Sequence, residues 1–158
     1  MKTRTASMAA TGGQWTTYAL GIRNRASYLY AQEFYRTAQK AGSPLVRAYL
    51  IGHSLELFLK TFLLTTGMKT SELKQRKYGH NLVALLEESK TRGLANALHI
   101  SPKTELDIHA LNEVYPEKLR YFSLLYLFIQ PTIPVLARLF RLAKSLEAVL
   151  LPRVKIAA

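Results

Sequence analysis

A chain of 158 residues, 49% of them hydrophobic, is long enough to bury one core and needs no second. Its formal charge of +12 points to a polyanionic partner such as nucleic acid or to an anionic surface, beside the plainer reading of a basic chain kept soluble by its charge. The lack of cysteine excludes disulfides, thiolate zinc sites and a cysteine nucleophile, and no P-loop, dinucleotide glycine fingerprint or G-x-S-x-G elbow occurs.

Residues 1–14, MKTRTASMAATGGQ, carry no apolar block of the kind a secretory signal requires and read as an unstructured start. Residues 15–152 read as one helical bundle and 153–158 as a basic tail. A first helix is predicted over about 15–41, closed by Gly42, with Ser43 as N-cap and Pro44 opening the next. So short a connection makes helices one and two antiparallel neighbours. The second helix ends at Gly67, and the lysine-rich stretch MKTSELKQRKYG leads to a third, from His80 or Asn81 to about Arg92, which Gly93 can end. Ser101 and Pro102 repeat the cap signal for a fourth, reaching Tyr115 before Pro116 breaks it. The apolar run YFSLLYLFI, 121–129, suits a helix, a strand or an exposed subunit contact; it is read as helix continuation or a buried connector. Pro131 and Pro134 introduce a last helix that lasts to Pro152. The expected fold is all-α, an up-and-down bundle of four to five helices. No membrane span is expected, because Arg47, His53, Glu56 and Lys60 cut the most apolar stretch, and the expected location is cytoplasmic.

The second helix is apolar nearly all round except for Tyr49, His53, Glu56 and Lys60, which fall within roughly 60° of one another at helical spacing. A helix of this kind belongs at the centre of a bundle, where a buried Glu56 must meet a cation or a donor. Lys60 is one turn away, and His80, Arg120 and Tyr121 supply the other expected members of an interhelical polar network, structural or ligand-binding. His53, Glu56 and His80 are too sparse a set to predict a metal, and no cofactor is expected.

The last helix gathers Arg138, Arg141 and Lys144 on one face, and Arg25, Arg36 and Lys40 share a face of the first. Phosphates could lie along such faces, giving affinity without base readout.

The segments HSLELFLK (53–60), GHNLVALLEE (79–88) and LNEVYPEKLRY (111–121), in this order and spacing, resemble the HEPN superfamily of helical domains over roughly residues 15–150. The resemblance implies an up-and-down bundle, frequently dimeric, in a family that includes RNA-cutting toxins, partners of nucleotidyltransferases and many members without known activity. Members that cleave RNA carry an Arg followed, after four to six residues, by a His. Arg47 and His53 have that spacing and are the candidate catalytic pair; Arg92 and His99 also have it. Arg47 and His53 differ by about 120° around one helix and roughly 9 Å along it, so they could cooperate only through a neighbouring helix or a second subunit. The expected function is a non-catalytic, self-associating HEPN-like binding module for nucleic acid or nucleotide, with a homodimer and a nucleotidyltransferase-type protein as candidate partners. The alternative is a metal-independent endoribonuclease of a toxin–antitoxin type system.

Overall fold

The computed structural model describes residues 17–121 and 123–155, and their regular structure is all-α. The expectations for 1–14, for a helix beginning at residue 15 and for the end of the 153–158 tail lie outside the described residues.

Helix α1, Thr17–Lys40, runs antiparallel to α2, Pro44–Thr65. Ser54 donates to the Ala31 carbonyl at 2.8 Å, and Thr61 to the Ser27 hydroxyl at 2.8 Å, so the partner number falls along α2 as it rises along α1. Ser43 caps α2 and Pro44 occupies its first turn. Gly42 does not supply the expected left-handed cap: among the described residues only Gly67 and Gly93 have positive φ. At Gly67 (φ 92°) the Met68 N–H reaches the Leu63 carbonyl at 3.1 Å and the Gly67 N–H reaches that of Leu64 at 3.2 Å, which closes α2 and turns Met68 back into the core.

The stretch after Gly67 holds a short helix, α3 (Thr70–Leu73), and is tethered by the buried Met68, Leu73 and Tyr78. Asn81 caps α4, Leu82–Ser89, by accepting from the Ala84 N–H at 3.0 Å. A wide turn over Lys90–Leu94, with Gly93 at φ 100°, bends the chain into α5, Ala95–Ala97. Helix α6, Pro102–Asn112, starts at the Ser101 cap. Past it, Pro116 sits in a second wide turn, Tyr115–Leu119. The last helix, α7, spans Leu136–Leu150.

Among its described residues the stretch 121–129 is neither helix continuation nor a buried connector. It holds one short turn, Leu124–Leu127, and Tyr121, Leu124, Leu125, Phe128 and Ile129 are all exposed, Phe128 to 85%. Phe122 lies outside the described residues.

Helix α2 is the hub. It packs against α1, α4, α7 and the Tyr115–Leu119 turn, while α6 packs on α4 and α7. Ile51, Leu55, Phe58, Leu59, Phe62 and Leu63 are at most 1% exposed. Each such burial contributes on the order of 1.5–3 kcal/mol before chain entropy is charged against it. No described helix is long and apolar enough to cross a membrane.

Candidate functional site

The polar stripe of α2 is buried around Glu56, which is 2% exposed. Lys60, one turn on, donates to Glu56 Oε1 at 2.6 Å and to the Gly79 carbonyl at 2.5 Å. The next residue, His80, places Nδ1 3.1 and 3.0 Å from the two carboxylate oxygens. The Gly-His pair ahead of α4 therefore docks on α2 through both its backbone and its imidazole. The third donor is Tyr115, whose hydroxyl reaches Glu56 Oε2 at 2.6 Å. Its ring lies against Gly52, where an added Cβ would stand 2.7 Å from Tyr115 Cδ2. Only the missing side chain at 52 lets the ring come this close.

Glu56, Lys60 and His80 thus come together, and Tyr115 takes the position expected for Arg120. The break at Pro116 turns Tyr115 toward α2 and leaves the Arg120–Tyr121 pair on the rim. Arg120 lies 5.6 Å over the Tyr121 ring, Tyr121 is 66% exposed, and no hydrogen bond or ion pair joins either to Glu56 among the described residues. Arg120 still contributes its field, which acts on both His53 and Tyr115. Asn112 was not anticipated either: its Oδ1 accepts from the Leu82 N–H at 2.7 Å and closes the start of α4 from the end of α6. Its place at a helix end just ahead of Pro116 was the available signal.

The protonation states follow from these contacts. Burial pushes the Glu56 carboxyl upward, but the Lys60 charge and the hydrogen bonds from Lys60, Tyr115 and His80 outweigh it and hold the group below the usual carboxylate range. Burial, reinforced by the neighbouring Glu56 charge, pushes the Tyr115 phenol far up, so it stays a neutral donor. His53 Nδ1 lies 2.9 Å from the Tyr115 oxygen, and the rings of Phe34 and Tyr49 flank it. Since the phenol gives its hydrogen to Glu56, His53 must donate from Nδ1, which leaves the lone pair on Nε2. Burial lowers the His53 pKa, the Glu56 charge opposes that, and Arg120, Lys60 and His80 reinforce it.

Arg47 does not share this environment. Its guanidinium lies 5.3 Å over the Phe140 ring of α7, whereas His53 faces Phe34, Tyr49 and Tyr115. The two side chains of the candidate catalytic pair therefore address different neighbours. Arg92 is engaged by Glu88 at 2.6 Å, and His99 lines a cavity beside α7.

Helices α1 and α7 pack side by side. Tyr28 of α1 donates to the Glu147 carbonyl at 3.4 Å, Gln32 bonds the Glu147 carboxylate, and the Tyr35 and Phe140 rings are 6.0 Å apart, an antiparallel pairing. The two helices carry Arg23, Arg25, Arg36, Lys40, Arg138, Arg141 and Lys144 against the carboxylates Glu33 and Glu147. Arg36, Lys40, Arg141 and Lys144 are exposed, and none makes an ion pair among the described residues. Arg25 lies 5.4 Å over the Tyr28 ring, and its charge and that of Arg36 both act on that phenol. Arg138 is the exception: Asp107 of α6 takes its Nε at 2.5 Å and its Nη2 at 2.9 Å. Among the described residues no group of three or more His, Cys, Asp or Glu could hold a metal ion.

Comparison of the chain with protein-family models, curated proteins and solved structures returned no match.

Proposed function

We propose that this chain is a HEPN-like helical module that self-associates and binds a polyanion, nucleic acid or nucleotide, through the basic faces of the neighbouring helices α1 and α7. The observation that carries the reading is the set of exposed cations Arg36, Lys40, Arg141 and Lys144 on two adjacent antiparallel helices, free of ion pairs among the described residues. Charges already neutralised within a fold gain little from phosphate, whereas unpaired ones release counterions when a phosphate chain lies across them. The test is binding of mixed RNA and DNA over a salt series. Affinity should fall steeply with salt, and changing the four cations to Gln should flatten that slope; salt-insensitive or absent association rejects the reading.

The resemblance to HEPN domains rests on the three segments that interlock around Glu56, and it brings a nucleotidyltransferase-type protein into the proposal as a candidate partner. Self-association is supported by the exposed Tyr121, Leu124, Leu125, Phe128 and Ile129 and by the adjoining apolar cleft of about 340 Å³ lined in part by Leu45, Val46, Tyr49 and Tyr126. The second reading, a metal-independent endoribonuclease, is favoured by one observation: the neutral His53, with its Nε2 lone pair, has the form a general base needs. RNA cleavage in EDTA that is lost in both Arg47→Ala and His53→Ala would establish it over the binding role.

A further inference from the structure

We propose that the cavity between the N-terminal end of α6 and the face of α7 is a seat for a terminal phosphate of the bound nucleic acid. The proposal rests on the polyanion reading above and gives that surface a specific chemical endpoint. The cavity is about 160 Å³ and its polar lining is His99, Ser101, Thr104, Arg138, Arg141 and Ser145, with no carboxylate among the lining residues. Pockets that enclose whole small ligands run to about 300–1,000 Å³, so this one admits a single group rather than a nucleotide.

Two guanidiniums and three hydroxyls around a space of that size are donors suited to a phosphate. Arg138 is held in place: the Asp107 bonds use Nε and Nη2, which leaves Nη1 for a cavity ligand and fixes the plane of the guanidinium. Asp107, 7% exposed and on the α6 side, neutralises part of that charge. Arg141 supplies a full one, being exposed and without an ion pair among the described residues. The seat does not depend on the end of α6, because Ser101 already accepts from the Thr104 N–H at 3.2 Å. The Ser101 and Thr104 hydroxyls lie 3.0 Å apart and share one hydrogen between them, so the other remains to donate.

The choice of a terminal over an internal phosphate follows from charge and connectivity. A phosphomonoester carries about −1.5 to −2 at pH 7 and is tethered on one side. A backbone diester carries a single charge and leaves in two directions, which suits an open ridge better than a cavity. Arg141 lies three residues before Lys144, so a strand crossing the α1–α7 face can end here.

The test is fluorescence anisotropy with one short single-stranded RNA, 3′-labelled, bearing either a 5′-phosphate or a 5′-hydroxyl. The wild-type protein should bind the phosphorylated strand about tenfold more tightly, the loss expected when one charged hydrogen-bonding partner is removed. Arg141→Gln and Arg138→Lys should abolish the difference, and Lys144→Gln should weaken both strands while keeping it. Arg141 is exposed, so its variant tests the seat even if Arg138→Lys disturbs the Asp107 tie. Equal affinity for the two strands in the wild-type protein, or a preference that survives Arg141→Gln, overturns the seat and leaves the polyanion reading standing. Failure of both strands to bind at any salt overturns the two together.

Discussion

A carboxylate that is 2% exposed and accepts from Lys60, His80 and Tyr115 has given up its water, so its partners must replace water fully. Glu56→Gln keeps the shape but leaves the Lys60 ammonium facing an amide, and urea denaturation should show a loss of about 3 kcal/mol. Tyr115→Phe removes one donor to a charged group and should cost less, about 1.5–2 kcal/mol. Gly52→Ala is an overpacking change: its methyl would meet the Tyr115 ring at 2.7 Å, and about 1–3 kcal/mol should be lost. Acid acts through two groups in the same direction. The folded pKa of His53 is below its ordinary 6.5, so the unfolded chain takes up that proton first and stability begins to fall as pH drops below about 6.5. Glu56, depressed from 4.5, adds its stabilisation above that pH and loses it as pH falls through the folded value. Thermal melts across pH should show both descents, and His53→Gln should flatten the upper one alone. At this scale the sequence made Glu56, Lys60 and His80 legible, because charge on an apolar helix demands partners. Tyr115 was hidden, since nothing in its spacing announces that Pro116 will aim it at a glycine.

The helices were readable where a cap and a period agreed. Ser43 with Pro44, Ser101 with Pro102, and Gly67 each end or begin an element in the structure as their chemistry requires. Gly42 misled, because a three-residue connection can turn without a left-handed residue. The short α3 is invisible in the periodicity of a lysine-rich stretch; only its buried Met68, Leu73 and Tyr78 explain why it is ordered. The 121–129 run defeated pattern reading for a different reason: apolarity says that a segment wants cover, not which molecule provides it. With Phe128 85% exposed and Leu124 71% exposed, the run is where the proposed self-association should lie. Phe128→Ser should shift the protein toward monomer in multi-angle light scattering while leaving its melting temperature within a few degrees, because the side chain contributes little to the fold. A dimer unaffected by this change would place the contact elsewhere.

For the molecule as a whole, the decisive quantity is the distribution of its +12 charge. The ion pairs at Glu87, Glu88 and Glu105 gather around the α4–α5 turn, where they neutralise Lys90 and Arg92. Among the described residues the α1–α7 side keeps most of its cations without an ion pair, as do the exposed Lys69, Lys74, Arg76 and Lys77 after α2, so a polyanion approaching either region meets charge that no carboxylate neutralises. Each charge removed among Arg36, Lys40, Arg141 and Lys144 should reduce the slope of log affinity against log salt by roughly 0.7 for a single strand. The corresponding change at Lys90, already engaged by two carboxylates, should leave it nearly unaltered.

The notch at residue 52 has a consequence for any exhaustive substitution survey. Position 52 would register as intolerant alongside 53, 56 and 115, and its silence could pass for participation in chemistry. Its contribution is absence: one hydrogen where every other amino acid carries carbon, leaving room for a ring from a distant part of the chain.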